Sequence, residues 1–353
     1  MKKTLRITNI YKLILLVLTV GLGSCSKINS ETQAISLSRG AFAIAQEKPK
    51  VVASHSVLCD FAQTIAQDTI DLTCLIEPAQ SSHTYRPTPS AKTAIEQAQL
   101  ILYGGYEFEP SIIQLIEAST ATVPKIAVHE AVVTEPIMSQ HDHGHEDEHH
   151  EEESHEHEHN ETTKKEAQLK PDSHIWHNVW NAVEMVELIQ SQLISLNPTQ
   201  AELYLQNGTA LTEKLTDLNG WINQQIATIP EGQRILVTTH DSLNYYVQAY
   251  PLEEYKTLQG LSTEESPTAS KLRDLVTEIR QANIPTIFAE VTANDKVINS
   301  IAREANVKIS EQKLYTDGLG EAGTPAGTYI GMMENNTCAI AVGLGGKCEP
   351  FQP

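Results

Sequence analysis

Short apolar runs alternate with stretches of helical periodicity along most of this chain. In the first part the runs predict strands over Val51–Ala53, Ile70–Ile76, Leu100–Tyr103 and Lys125–Val128. Apolar spacing, caps and prolines predict helices between them, over 58–66, over 90–98 with Ser90 as cap, and from Pro110 onward. Strands that alternate with helices are typical of a parallel sheet in an α/β fold.

The same alternation restarts after Pro230. It predicts strands over Ile235–Thr239, Tyr255–Leu258, Ile284–Ala289 and Val307–Ser310. The predicted helices lie near 242–250, 268–282, 295–304 and 328–342. We find no strict internal repeat of sequence, and we expect two α/β lobes, each with a mainly parallel sheet.

A pair of helical stretches separates these two regions. The first runs from Asn178 to Leu196, and the second starts near Asn197 and keeps its apolar spacing to about Ile229. A helix of about thirty residues is roughly 45 Å long, more than one small domain needs, so it predicts a rigid connection between lobes. Gly208 and Gly220 inside it are candidate bends.

The N-terminus indicates export. Basic residues precede the apolar run Leu13–Leu22, which is too short to span a bilayer as a mature helix, and no other segment is long and apolar enough. Leu22-Gly23-Ser24-Cys25 resembles the bacterial lipobox, in which Cys25 is lipidated and becomes the new N-terminus. The alternative is an ordinary secretory signal cut later, for instance near Ala41-Phe42-Ala43. We favour the lipobox and a periplasmic or cell-surface lipoprotein anchored to the membrane.

The predicted organisation follows from these boundaries. It comprises a signal peptide over 1–24, a tether over 25–48, an N-terminal lobe over 49–197, a linking helix over 198–229 and a C-terminal lobe over 230–353.

A polar tract over 141–159 has an unusual composition. It contains eight His and nine Asp or Glu, with no Lys, no Arg and no apolar residue. It has nothing to bury, so we expect 139–170 to be a long loop on the first lobe. Imidazole suits zinc, copper and nickel, although a solvated loop that binds metal incidentally remains an alternative. Its candidate secondary metal ligands are His141, His143, His145, His149, His150, His155, His157 and His159.

The net charge and the cysteines limit the kinds of partner and metal site that we expect. A formal charge of -20 argues against a nucleic-acid partner and is compatible with a cation ligand. Besides Cys25, four cysteines remain, and an even number in an oxidising compartment suggests disulfides. Cys338 and Cys348 flank a Gly-rich turn and are the favoured pair. Cys59 and Cys74 either pair or stay as buried thiols, and the absence of C-x-x-C argues against thiolate zinc.

Polar residues that follow the ends of predicted elements are candidate metal ligands. In α/β sheets, ligands bind just beyond the carboxyl ends of strands. Three imidazoles and one carboxylate fit tetrahedral zinc. Each residue also has an ordinary alternative: a solvated loop or pre-cap residue, a helix cap, or a turn. The candidates are His83, His174, His240 and Asp317.

Segments around these residues resemble the metal-specific solute-binding proteins of ABC importers. The first, EPAQSSHTYRPTP, is similar to the family's P-G-x-x-x-H-x-Y-x-P-[ST]-P, and DSHIW is similar to D-P-H-x-W. VTTHD is similar to the third-ligand segment, LYTD matches L-Y-x-D, and LQGLSTE also follows the family. The resemblance covers the chain from about Val51 to its end. It departs from the family at Ser173, where Pro is usual, and at Ala79-Gln80, where Gly is usual.

The resemblance implies two lobes joined by one long helix, with metal held between them. It assigns the ligand roles to the same four candidates and makes His177 a neighbour, while His55 and His129 are weaker candidates. Zinc binders of the family use His at the third position and carry an acidic His-rich loop; manganese and iron binders tend to use Glu and lack the loop. His240 and the tract therefore favour zinc.

We accordingly predict a monomeric, extracytoplasmic protein that captures Zn2+ and delivers it to the membrane permease of an ABC transporter. It is not expected to be an enzyme. Alternatives are manganese or iron binding on the same fold, a zinc-dependent hydrolase, or an adhesin or storage role. The absence of H-E-x-x-H weakens the hydrolase alternative.

Overall fold

Two α/β lobes make up this computed structural model, which describes residues 47–141, 168–263 and 267–352. The predicted fold class is confirmed. The strands are β1 Lys50–Ala53, β2 Asp71–Cys74, β3 Leu100–Tyr103, β4 Lys125–Ala127, β5 Met138–His141, β6 Gln168–Pro171, β7 Ile235–Thr238, β8 Glu254–Thr257, β9 Thr286–Ile287 and β10 Lys308–Ile309. The α-helices are α1 Ser56–Ala66, α2 Pro89–Gln97, α3 Pro110–Glu117, α4 Val128–Val132, α5 Val179–Leu196, α6 Ala201–Ala227, α7 Asn244–Ala249, α8 Ala269–Gln281, α9 Asp295–Ala305 and α10 Tyr329–Gly343.

The first lobe is built on a parallel sheet in the order β2-β1-β3-β4. Successive side chains of a strand point to opposite faces, and β1 shows this period of two. Val51 and Ala53 enter the central core with α1, whereas Val52 packs with α2 and α3 on the other face. Both faces are covered, which explains why these strands read as continuous apolar runs.

The second lobe has the same strand connectivity. β7 pairs with β8 and β9 with β10, all parallel, and a bridge from Thr238 to Phe288 joins the two ladders. The order is therefore β8-β7-β9-β10, which matches β2-β1-β3-β4. Leu236 faces the central core and Val237 packs with α8 and α9. The repeat is one of topology, so it left no strict repeat in the sequence.

The helices α5 and α6 lie in the core between the two sheets. α6 has 27 residues, or about 40 Å at 1.5 Å per residue. It packs against α1 of the first lobe and α10 of the second. Pro198–Gln200 forms a 3-10 turn before α6 begins. Gly208 lies at a close contact, because a Cβ there would collide with the side chain of Gln190.

Several caps and element boundaries differ from the sequence predictions. Thr88, not Ser90, caps α2: its hydroxyl accepts a hydrogen bond from Ala91 N at 3.3 Å, since Pro89 takes the first helical position. β4 ends one residue early because Val128 begins α4. The ends of the predicted loop over 139–170 are also wrong, because β5 and β6 pair antiparallel there.

His141 supplies backbone to the end of β5. The other histidines of the tract lie outside the described residues, as do Cys25, the predicted signal peptide and most of the tether.

Two disulfides link neighbouring segments of the described chain. One joins Cys338 of α10 to Cys348, the pair that the sequence favours, and the other joins Cys59 of α1 to Cys74 of β2, the pair that it leaves open. Among the described helices, none combines the length and the apolar character that crossing a membrane would require.

Candidate metal centre

Four side chains from loops of both lobes converge between the sheets. The first lobe supplies His83, from the loop after β2, and His174, from the turn after β6. The second lobe supplies His240, which follows β7, and Asp317, which follows the segment bridged to Glu290 through Leu314. The structure therefore brings together all four residues that the sequence selected.

The distances suit one small cation. Nε2 of His83 lies 3.2 Å from Nε2 of His174, and Nε2 of His240 lies 3.0 Å from Oδ1 of Asp317. All four candidate ligand atoms lie within 4.8 Å of one another. Nitrogen and oxygen ligands of tetrahedral zinc stand about 3.3 Å apart when each bond is about 2.0–2.1 Å. The donor set therefore fits tetrahedral coordination in number and kind, and its shorter separations lie near the tetrahedral spacing.

Buried carboxylates orient two of the imidazoles. Asp172 Oδ1 accepts hydrogen bonds from the backbone N and from Nδ1 of His174, both at 2.9 Å. Glu290 Oε2 pairs with Nδ1 of His240, and its Oε1 accepts from the backbone N of Thr239 and of His240 at 2.8 and 2.9 Å. Each Nε2 is thereby directed into the centre, which is how carboxylates commonly support metal-binding histidines. Sequence reasoning missed both carboxylates.

Neighbouring charges raise the pKa of two of the three candidate imidazoles but not that of the third. Burial would lower the pKa of His240, but Glu290 and Asp317 raise it well above 6.5. Burial also opposes protonation of His174, yet its hydrogen bond to Asp172 and the nearby carboxylate of Asp317 raise its pKa. Burial dominates at His83 and lowers its pKa to about 3. Without metal, His174 and His240 therefore hold a proton more readily than His83 does.

Asp317 is the acceptor at the middle of this cluster. Burial would raise its pKa, but the charge of His240 and the nearby imidazole of His174 hold that pKa well below 3.8. Within the described part of the chain, neither carboxylate oxygen has a partner of good hydrogen-bond geometry. A buried anion of this kind is costly unless a cation compensates it, and a metal would do so.

His177 lies beside the site rather than in it. Its Nε2 donates to the backbone oxygen of Thr316 at 2.9 Å, so it anchors the residue before Asp317. Trp176 and Phe108 form an aromatic wall around the ligands, with ring centroids 4.9 Å apart and Phe108 5.2 Å from His83.

The two departures from the family motif lie in the loops that carry His83 and His174. Ala79 adopts φ 60°, the left-handed region that favours glycine, and its N donates to Leu319 O at 2.9 Å across the lobes. Ser173 is buried beside His174.

A second buried group of polar residues lies behind the aromatic wall. His55 and His129 meet through their Nε2 atoms at 3.2 Å, and each Nδ1 is buried without a hydrogen-bond partner among the described residues. Glu109 accepts from Gly104 N at 2.6 Å through Oε1. A Cβ at Gly104 would stand 2.7 Å from His129 and 2.8 Å from Glu109, so only glycine fits there. No local sequence signal links these residues.

Glu109 should destabilise the metal-free fold as pH rises. Burial raises the pKa of the Glu109 carboxyl group from 4.5 to about 7. The free energy of unfolding therefore decreases as the pH rises from 4.5 to about 7, because the unfolded chain loses this proton more easily than the folded protein does. The free energy of unfolding of Glu109→Gln, taken relative to that of the parent, should therefore increase by about 3 kcal/mol from pH 4.5 to pH 8, as measured by urea unfolding. Glu117→Gln, on the exposed face of α3, is the matched control. A pH-independent difference would contradict this prediction.

Comparisons with known proteins agree with this fold and place the chain among metal-binding proteins. Residues 51–343 match the family described as ZnuA, zinc-uptake complex component A, periplasmic. The chain is 29% identical over 304 residues to the "Manganese ABC transporter substrate-binding lipoprotein PsaA" of Streptococcus anginosus, covering 84% of this chain and 90% of the relative.

Solved structures give the same result. The periplasmic zinc binding protein TroA from Treponema pallidum superposes with a TM-score of 0.72 at 26% identity, covering 84% of this chain and 99% of TroA. The Mn-bound periplasmic metal binding protein from Candidatus Liberibacter asiaticus gives 0.67 at 25% identity, covering 84% and 100%. Since the family match spans most of the sequence, the chain belongs to the ZnuA family of metal-binding substrate-binding proteins of ABC transport.

Proposed function

We propose that this protein captures Zn2+ outside the cytoplasm and delivers it to the membrane permease of an ABC transporter. The observation that carries the proposal is the convergence of three imidazoles and one carboxylate within 4.8 Å between the lobes. Both lobes contribute ligands, so metal holds them together and loss of metal frees them. Capture and release by such a site involve no bond chemistry on the cargo.

The donor set supports zinc over manganese. Imidazole nitrogen suits zinc, whereas manganese prefers octahedral sites rich in carboxylate, carbonyl and water oxygen. Manganese is nevertheless a real second candidate, since PsaA is named for manganese and one structural relative is Mn-bound. His240 is the residue on which the choice rests, because Glu290 holds its Nε2 toward the other ligands.

The geometry gives little support to a hydrolase. A catalytic zinc site typically has three protein ligands and keeps its fourth position for water. Here four protein atoms surround the candidate metal position. The family, moreover, is one of transport proteins.

The remaining parts of the proposal concern segments outside the described residues. We place a lipid anchor on Cys25, which agrees with the description of PsaA as a lipoprotein. We propose that the histidines of the tract hold further zinc more weakly than the site between the lobes.

Metal identity can be tested on a variant without the tract. Since His141 pairs with Gln168, replacing 142–167 by Asn-Gly would close β5 and β6 with a two-residue turn. We expect this variant, given equal Zn2+ and Mn2+, to retain one tightly bound zinc by elemental analysis and competition titration. Retention of manganese would overturn the zinc assignment, and loss of all tight binding would place the tight site in the tract.

A further inference from the structure

A polar cluster joins the two lobes next to His174. It lies where the β5–β6 hairpin of the first lobe meets α7 of the second. Ser139 Oγ donates to Asp241 Oδ2 at 2.6 Å. Asn244 Nδ2 lies within hydrogen-bond distance of Asp241 Oδ1 at 2.8 Å, of Asp172 Oδ2 at 3.0 Å and of Ser139 Oγ at 3.3 Å. One amide thus connects both lobes.

The cluster is linked to the candidate ligand His174 by a single carboxylate. Asp172 is fully buried; its Oδ2 accepts from Asn244, and its Oδ1 accepts from both the backbone N and Nδ1 of His174. The backbone of Asp172 is tied as well, since its N donates to Ile137 O at 2.7 Å, while Ile137 N donates to Tyr245 Oη at 3.1 Å. The residues that orient His174 are therefore held from the opposite lobe.

The amide of Asn244 also separates two carboxylates. Asp172 and Asp241 approach each other from opposite lobes, and the Asn244 amide donates toward both. A short uncharged donor suits this position: it satisfies both acceptors without bringing a charge of its own toward the metal centre. If the lobes separated, Asp172 would lose this donor and His174 would lose the fixed orientation of its partner.

We propose that Asn244 is a positioning residue for metal binding. Together with Ser139 it forms an interlobe clasp, the contacts among Ser139, Asp172, Asp241 and Asn244, that fixes His174 while the lobes hold metal. The inference rests on the proposed function in needing a metal cargo, but not on the cargo being zinc. The expected consequence is slower metal release. His174 of the first lobe stays aligned only while Asn244 of the second lobe is hydrogen-bonded to Asp172.

The test uses Asn244→Ala in the chain that carries the Asn-Gly turn, loaded with Zn2+ and chased with excess chelator. We expect release about 10-fold faster or more, within the range typical for residues that support metal ligands. Gln248→Ala, at an exposed position of α7, is the control and should release at the parental rate. Ser139→Ala, which removes only a hydroxyl, is the second variant in case Asn244→Ala folds poorly.

A double-mutant cycle separates positioning from a general structural effect. Because Asn244 acts through Asp172, Asp172→Asn combined with Asn244→Ala should release metal no faster than Asp172→Asn alone. The clasp would be overturned if the two substitutions multiplied each other's effect on the rate of metal release. It would also be overturned if Asn244→Ala released metal at a rate within twofold of the parental rate. A parent that binds Mn2+ instead of Zn2+ would refute the proposed cargo but leave the clasp open to the same test with Mn2+.

Discussion

Replacement of Asp317 by Asn should weaken Zn2+ binding by about 100- to 1,000-fold. Four-ligand structural zinc sites contribute about 10–16 kcal/mol, or roughly 3 kcal/mol for each ligand, and each 1.4 kcal/mol corresponds to a factor of ten. Asp317 supplies the only anionic ligand of the candidate set, and it lies 3.0, 3.6 and 3.8 Å from the Nε2 atoms of His240, His174 and His83. An amide keeps the shape but loses the charge that offsets the divalent cation.

Competition titration with a zinc chelator measures this loss. Asp274→Asn makes the same chemical change at an exposed position on α8 and should bind as the parent does. Urea unfolding of the metal-free variants would show whether Asp317→Asn still folds. Parental affinity in a folded Asp317→Asn protein would remove Asp317 from the ligand set.

The candidate ligands were accessible from the sequence because each one lies next to the end of a predicted element and because the segments around them resemble a known family. His240 comes two residues after β7, and His83 lies in the loop after β2. Parallel strands place such loops at the carboxyl edge of their sheet, so local sequence indicates that these two residues lie at such an edge. Glu290 follows the predicted strand 284–289 in the same way, and the same argument applied to acidic residues would have found it.

The contacts that orient the ligands were not accessible, because they join residues far apart in the sequence. Asn244 reaches Asp172 across 72 positions, and His55 reaches His129 across 74. Asn244 at the start of α7 has no distinguishing local sequence feature, because its partner Asp172 belongs to the other lobe. The β5–β6 hairpin was missed for a related reason, since its strands pair across the polar tract and strand pairing leaves little local signal.

The acidic His-rich tract dominates the composition, yet the described site forms without it. The four candidate ligands come from outside 141–159, and three of them are completely or almost completely buried. A buried, preoriented set binds metal at lower entropic cost than ligands on a solvated segment. This difference is why we place the tightest site between the lobes and assign the tract to weaker binding.

Zinc affinity should fall as pH decreases, and the fall should begin above pH 6.5. An unperturbed imidazole would place the transition near 6.5, but Glu290 and Asp317 raise the pKa of His240 well above that value. Zinc must displace this proton, so affinity should drop about tenfold for each pH unit below the pKa of His240. The proton of His174, whose pKa is also raised, adds to the slope at lower pH. His83 does not contribute, because its pKa is about 3.

We therefore expect affinity to fall more from pH 8 to pH 6 than an unperturbed imidazole would cause, as measured by chelator competition in the variant with the Asn-Gly turn. Glu290→Gln tests the cause: removing this carboxylate lowers the pKa of His240, so the fall should begin at a lower pH. A transition centred at 6.5 in both proteins would show that Glu290 does not hold a proton on His240. Affinity unchanged between pH 7 and pH 5 would contradict an imidazole site altogether.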